Sequence, residues 1–312
     1  MPPKRGKPTA SDQRKQRLAE EPAERLELPC GASTAVYAVR GALTDQPAST
    51  SIILPALGVS AGSYLRFARA LSDRGRHVLV ADLRGVSTSS VRARRGTDWG
   101  YLDLLDEELR QLWVAADSYF PGSEKHWIGH SLGGHLALLH QARHLDQPVQ
   151  RVELVASGSP WYVNYPGVYR HGTRLLGAFA RISSRWLGAF PGDWIGFGGK
   201  QGARLMREWA GFVTNGLPGP LADPDWNLGQ ALSQVKLPVH AVCMAGDTYC
   251  PRAATEHLIS LTRCPATLQH LASIDGGRLP GHFEWMRHPH ALVKMLCQMA
   301  QEPAASMTNA VV

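Results

Sequence analysis

The ten residues His126 to His135, HWIGHSLGGH, set three glycines around a single hydroxyl, and no other segment restricts the fold as much. A strand-like run, EKHWIGH, stops at Ser131, and a helix-like run, LGGHLALLHQARHL, starts directly after it. A strand that turns into a helix through Gly-x-Ser-x-Gly must turn tightly, so bulky side chains at positions 129 and 133 would collide with neighbouring backbone. The serine is then expected in a strained conformation, with its Oγ projecting from the carboxyl end of a sheet. Taken alone, the five-letter pattern arises by chance, and a glycine-rich helix start also serves close packing. The flanking strand and helix favour a nucleophile, which then needs partners elsewhere in the chain.

The surrounding sequence repeats the strand, helix, strand rhythm. STAVYAVRG, TSIILPALG, HVLVADLRG and VQRVELVASGS are β-branched runs closed by turn residues, whereas SYLRFARALSDRG and YLDLLDEELRQLWVAADSYF carry apolar residues at helical spacing. Right-handed crossovers between such units give an α/β fold with a mostly parallel central sheet and helices on both faces. The rhythm breaks over residues 160–230, a stretch rich in Trp, Tyr, Gly and Pro with helical patches and no clear strand, which reads as an inserted helical lid. It resumes with LPVHAVCMAGD, a helix from about Pro251 to Leu261, the strand ATLQHLAS and the helix HALVKMLCQMA. The expected division is a basic disordered tail at 1–25, core at 26–159, lid at 160–230, core again at 231–301 and a flexible tail at 302–312.

Charge and cysteine content narrow the function. The net charge is +7, yet the first 25 residues hold seven Lys and Arg against four Asp and Glu, so much of the excess sits in a tail with little apolar surface. No stacking aromatics accompany it, and no nucleic-acid partner is expected. No window approaches the ~18 uninterrupted apolar residues of a membrane span. Five scattered cysteines fit neither a disulfide framework nor a C-x-x-C metal site, which suits a reducing cytoplasm.

A serine hydroxyl attacks well only when a histidine takes its proton, and that histidine needs an acid to hold its tautomer. In a sheet of this topology the acid follows a late strand and the histidine follows the last one. AVCMAGDTYCP places Asp247 just past a strand, and LPGHFEWM places His282 between the last strand and the last helix, giving the order Ser131, Asp247, His282. Asp275, in the glycine-rich IDGGRLPGH, is the rival acid; His130, His135, His288 and His290 are rival histidines in less suitable positions. The backbone N–H groups of Leu132 and Leu57 are the expected oxyanion donors, since Pro55 has no N–H to offer. Cys250, three residues beyond Asp247, is expected to be inert because the carboxylate disfavours a thiolate.

With these residues in view the sequence resembles the serine-nucleophile branch of the α/β-hydrolase superfamily over roughly residues 30–300, the lid excepted. ADLRGVSTSS is similar to that family's D-x-R-G-x-G-x-S segment at Asp82, Arg84, Gly85 and Ser89, with Ser87 where glycine is usual. LPALGVSAGSYLRFARALSDRG and DWGYLDLLDEEL look most like a bacterial subgroup of hydrolases whose substrates are not established. The resemblance implies a sheet of about eight strands and acyl transfer on a small-molecule acyl substrate, an ester or thioester, with no metal or organic cofactor. Peptidase or acyltransferase chemistry, or ligand binding without hydrolysis, are the alternatives on the same scaffold. Of the lid aromatics Trp161, Tyr162, Tyr165, Trp186 and Trp194, the first two directly follow a core strand and are the expected pocket residues.

Overall fold

The computed structural model describes residues 24–30, 32–41 and 49–301. The tails expected at 1–25 and 302–312 lie outside the described residues, apart from Glu24 and Arg25, which open the first strand. Strands β1 (Glu24–Cys30) and β2 (Ala32–Val39) form an antiparallel hairpin, followed by β3 (Ser49–Leu54), α1 (Leu65–Ser72) and β4 (His77–Ala81). A helical lead of Tyr101–Asp103 and a π-helical Leu104–Leu109 runs into α2 (Arg110–Tyr119), then β5 (Glu124–His130), α3 (Leu132–Arg143) and β6 (Arg151–Val155). Between β6 and the next core strand come α4 (Gly167–Leu187), a small hairpin of β7 (Ala189–Pro191) and β8 (Lys200–Gly202), α5 (Ala203–Asn215) and α6 (Leu228–Gln234). The chain ends with β9 (Val239–Met244), α7 (Arg252–Ser260), β10 (Ala266–Leu271) and α8 (His290–Met299).

The central sheet has eight strands in the order β1-β2-β4-β3-β5-β6-β9-β10. The β1/β2 and β2/β4 pairings are antiparallel and the other five are parallel. The inner strands β3, β4, β5, β6 and β9 are buried on both faces over most of their length, because helices cover both sides. Alternate residues serve opposite faces: Ile52, Leu54 and Trp127 belong to one core, Ile53 and Ile128 to the other. Helices α1 and α8 seal the second core through Phe67, Leu71, Leu292 and Leu296, whereas α2, α3 and α7 pack on the first. The β7/β8 hairpin departs from the expectation of no strand in the insertion. Its strands are three residues each, too short to print an alternation on the sequence.

Helix α3 lies deepest. Every residue from Leu132 to Gln141 is buried, because the helix is overlaid by the insertion, with Phe212 edge-on to His135 at 5.0 Å. Such depth demands glycine where α3 crosses the sheet. A Cβ at Gly133 would lie 2.1 Å from the Leu54 carbonyl oxygen, and one at Gly129 would lie 2.4 Å from the Gly134 Cα. At the far, amino-terminal ends of the strands, the wholly buried Glu153 accepts hydrogen bonds from Arg76 at 3.0 Å and Arg151 at 2.9 Å. Among the described residues no helix is long and apolar enough to cross a membrane.

Gly133→Ala is expected to destabilise the chain by about 1–3 kcal/mol in urea unfolding, because backbone must shift to admit the methyl group. Gly172, inside α4 with open space around it, is the control: Gly172→Ala should stabilise by about 0.5–1 kcal/mol.

Candidate active site

The β5-to-α3 turn fixes Ser131 at φ 53° and ψ −116°, a conformation that L-residues rarely adopt. It is held there from several sides. The Ser131 N–H donates to the Val155 carbonyl at 3.2 Å, and the Ser131 carbonyl accepts from the Ser157 hydroxyl at 2.7 Å. Ala156, on the neighbouring strand end, is also at positive φ, 45°. Both residues line one cavity of about 110 Å³ at the carboxyl ends of the strands, in keeping with the concentration of backbone strain at functional sites.

The same cavity is lined by His282, whose Nδ1 lies 2.7 Å from Asp247 Oδ2. Asp247 has no exposed side-chain surface, and its other oxygen accepts the N–H groups of Tyr249 at 2.8 Å and Cys250 at 3.0 Å. A carboxylate fixed in this way accepts a proton-bearing Nδ1, which leaves His282 Nε2 as the basic nitrogen. The rival acid stands elsewhere: Asp275 Oδ2 is 3.8 Å from His288. Leu57 and Leu132 border the cavity beside Ser131. The turn that carries Leu57 packs on the insertion, since a Cβ at Gly58 would meet the Gly198 carbonyl oxygen at 2.3 Å.

His130, next to the serine, faces away from the cavity and joins two of its walls. Its Nε2 is 3.0 Å from the His282 carbonyl oxygen, and because a carbonyl only accepts, Nε2 carries the hydrogen. Complete burial, reinforced by the nearby His282 ring, holds its pKa well below the usual histidine range, so the ring is neutral. Nδ1 then accepts from the Tyr64 hydroxyl at 2.7 Å, and that oxygen in turn accepts the Ala56 N–H at 2.9 Å. The chain of contacts runs from the residue before Leu57 to the backbone of His282, which Trp285 Nε1 also reaches at 2.9 Å.

His135 is likewise neutral, its pKa pushed down to about 4 by burial, with Nε2 donating to the Gly158 carbonyl at 2.8 Å. The segment that resembles D-x-R-G-x-G-x-S supports the loops. Asp82 accepts from the Ala61 N–H at 2.7 Å and the Thr88 hydroxyl at 2.6 Å, and Arg84 pairs with Glu107 and Glu108. Ser87 sits at φ 41°, which accounts for glycine being usual at that place.

Of the aromatic residues expected in the pocket, neither Trp161 nor Tyr162 lines it. Trp161 packs against His257 with ring centroids 4.7 Å apart, and the Arg174 guanidinium lies over Tyr162 at 5.0 Å. Both follow β6 in sequence, but the chain bends so that their rings dock the insertion onto the core. The aromatic walls are instead Tyr165, Phe197, Trp209, Tyr249 and Phe283. Of these only Tyr165 was a sequence candidate. Phe197 had a signal in the glycine-rich GFGG turn, and Tyr249 and Phe283 are close neighbours of Asp247 and His282. Trp209, inside a helix of the insertion, had none. Among the described residues no Asp, Glu, Lys or Arg lines the cavity.

A sequence model described as the α/β hydrolase fold matches residues 52–193. No match to a curated protein was found at the level of sequence. Among solved structures, the ferulic-acid complex of Est1E from Butyrivibrio proteoclasticus is 15% identical with a TM-score of 0.60, covering 88% of this chain and 100% of its own. The thioesterase domain from the curacin biosynthetic pathway is 15% identical with a TM-score of 0.55, covering 88% and 99%. Bromoperoxidase from Bacillus anthracis is 13% identical with a TM-score of 0.58, covering 89% and 100%. The chain therefore has the α/β-hydrolase fold, and its resemblance to that superfamily holds. Relatives this distant, with such different names, share architecture rather than substrate.

Two outcomes are expected at this site. Tyr64→Phe strands the buried Ala56 N–H and His130 Nδ1, and should cost about 1–3 kcal/mol in urea unfolding. Burial, and next the Asp247 charge, raise the Cys250 thiol well above its ordinary range, so iodoacetamide at neutral pH should leave turnover intact, and Cys250→Ser should be tolerated.

Proposed function

We propose that this chain is a serine hydrolase that cleaves a carboxylic ester or thioester through an acyl-enzyme. The observation that carries the reading is the 2.7 Å contact of His282 Nδ1 with the buried Asp247, made at the edge of a cavity that Ser131 enters from a strained strand-to-helix turn. In this reading His282 Nε2 takes the Ser131 proton as Oγ bonds to the substrate carbonyl carbon. The carbonyl oxygen gains the displaced electron pair and is met by the Leu57 and Leu132 N–H groups, the latter at the amino end of α3. His282 passes its proton to the departing alcohol or thiol. Water, activated by the same nitrogen, then releases the acid and restores Ser131. Asp247 keeps the imidazole in the required tautomer and stabilises its charged form.

The cavity lining supports an uncharged acyl group. Among the described residues it offers no carboxylate to a substrate amine and no cation to a substrate carboxylate, and its aromatic walls suit an apolar acyl portion. This chemistry disfavours an amino-terminal peptide as substrate. No cofactor or metal enters any step.

The test is kinetic and chemical. Ser131→Ala and His282→Ala should each lower kcat on a chromogenic short-chain ester by on the order of 10⁴-fold or more, and the double variant should lose little beyond that, because these residues act as one unit. A fluorophosphonate should label the parent chain at Ser131 and leave Ser131→Ala unlabelled. Independent, multiplying losses, or no labelling of the parent chain, would remove the covalent mechanism and leave a binding protein on this scaffold.

A further inference from the structure

Helix α4 presents an unusual outer surface. Val168, Leu175, Ile182 and Trp186 fall on one face at spacings of seven, seven and four, and they stand 78%, 70%, 58% and 73% exposed. From Val168 to Trp186 this stripe runs about 27 Å along the helix. The next turn of the insertion adds Trp194, 70% exposed, and Ile195. Scattered exposed apolar residues need no explanation, but large ones recurring every one to two turns along one helix face, with two protruding indoles, mark a binding surface.

Charge follows the same helix. Arg170, Arg174, Arg181 and Arg185 form a row along one flank of the stripe, and all four are exposed. Among the described residues none of them pairs with a carboxylate: Arg170 donates to the Val163 carbonyl, Arg174 lies over Tyr162, and Arg181 reaches the Thr214 hydroxyl at 3.3 Å. Residues 160–207 hold seven Lys and Arg and a single acid, Asp193. Beside the helix, Arg181 and Arg185 face Arg204 and Arg207 of α5 across a hollow of about 490 Å³. Arg204 pairs with Asp103, Arg207 lies 3.8 Å from Asp98, and the buried Glu208 carboxyl at the floor is pushed up to about 7 by desolvation. Among the described residues, the Arg181 and Arg185 guanidiniums have no carboxylate partner.

We propose that α4 and the Trp194–Ile195 turn form a peripheral docking face for an anionic lipid surface. The apolar stripe enters the boundary between headgroups and acyl chains, the indoles sit at headgroup level, and the arginine row with its hollow takes lipid phosphates and carboxylates. A second copy of this chain is a poor occupant, because an α4 with no acid would bring its own arginine row to the contact. An acidic protein would need a preformed 27 Å groove with pockets for both indoles, whereas a deformable bilayer needs neither. The turn bearing Trp194 and Ile195 runs directly into Gly196, Phe197 and Gly198, which wall the cavity of Ser131, so docking would set that cavity beside the lipid. The docking face stands on the helix's own surface and does not rest on the catalytic reading.

The experiment is co-sedimentation of the full-length chain with phosphatidylcholine vesicles made with and without phosphatidylserine. Binding should need phosphatidylserine and weaken with salt. Leu175→Asp with Trp186→Asp, and separately Arg181→Glu with Arg185→Glu, should each weaken it by about tenfold or more, with unfolding temperature and turnover of a soluble ester unchanged. Ser131→Ala should bind like the parent, which separates a failure of docking from a failure of the catalytic reading. The proposal falls if the parent chain ignores anionic vesicles, or if both paired variants bind as well as it does, which would assign the attraction to another part such as the basic amino-terminal segment. It also falls if only the arginine variant loses binding and polyglutamate competes, which would reduce the face to a general polyanion site.

Discussion

The approach of helix α3 to the centre of the sheet is the constraint on which the other features depend. Gly133 rests on the Leu54 carbonyl with no room for a methyl group, and Gly129 and Gly134 meet just as closely across the turn. Only a helix that starts this near the strand ends can place a serine between β3, β5 and β6 and point its first N–H groups at the same space. The strain at Ser131 and Ala156 is thus a consequence of packing, sustained by the pair of apolar cores on either side of the sheet. Loosening α3 would relax the turn and misdirect the hydroxyl in one step.

The histidine loop is tied to that turn by a different device. A neutral, buried His130 links the Tyr64 hydroxyl, and through it the Ala56 N–H, to the carbonyl of His282. A backbone N–H at one end and a carbonyl at the other fix the direction of every bond between them, so no member can flip without leaving a buried polar atom unpaired. Three segments far apart in sequence are held in register by side chains that never face the cavity. The x of the Gly-x-Ser-x-Gly pattern, which the bare motif leaves open, is here occupied by the residue that connects them.

Much of this was legible in the sequence because it is repetitive or local. The parallel strands announce themselves as apolar runs bounded by turn residues, and Asp247 and His282 each follow such a run. Both then meet at 2.7 Å. What escaped depends on contacts with no local trace. Glu24 and Arg25 read as the end of the tail, yet they open β1, which pairs residue for residue with β2 as an edge strand. Trp161 and Tyr162 sit at the right place along the chain, but which way their rings turn is decided by His257 and Arg174, distant residues that no spacing rule brings in. Trp209 enters the cavity wall only because the insertion folds back over α3.

The two ends of the sheet divide the electrostatic work. At the amino ends, burial pushes the Glu153 carboxyl up, but Arg76 and Arg151 outweigh it and hold its pKa down to about 2; His126 beside them is lowered to about 3, by burial first and then by those arginines. Because Glu153 titrates below its unfolded range, its contribution to stability is present above about pH 4.3 and is lost as pH falls toward 2. At the carboxyl ends no Asp, Glu, Lys or Arg among the described residues lines the cavity, and Asp247 stands behind His282. A fixed salt bridge near Ser131 would compete with a developing oxyanion for the same N–H donors and would organise water in the cavity. With the strongly paired ions gathered at the opposite end of the strands, the cavity bordered by Leu57 and Leu132 is left to uncharged groups among the described residues.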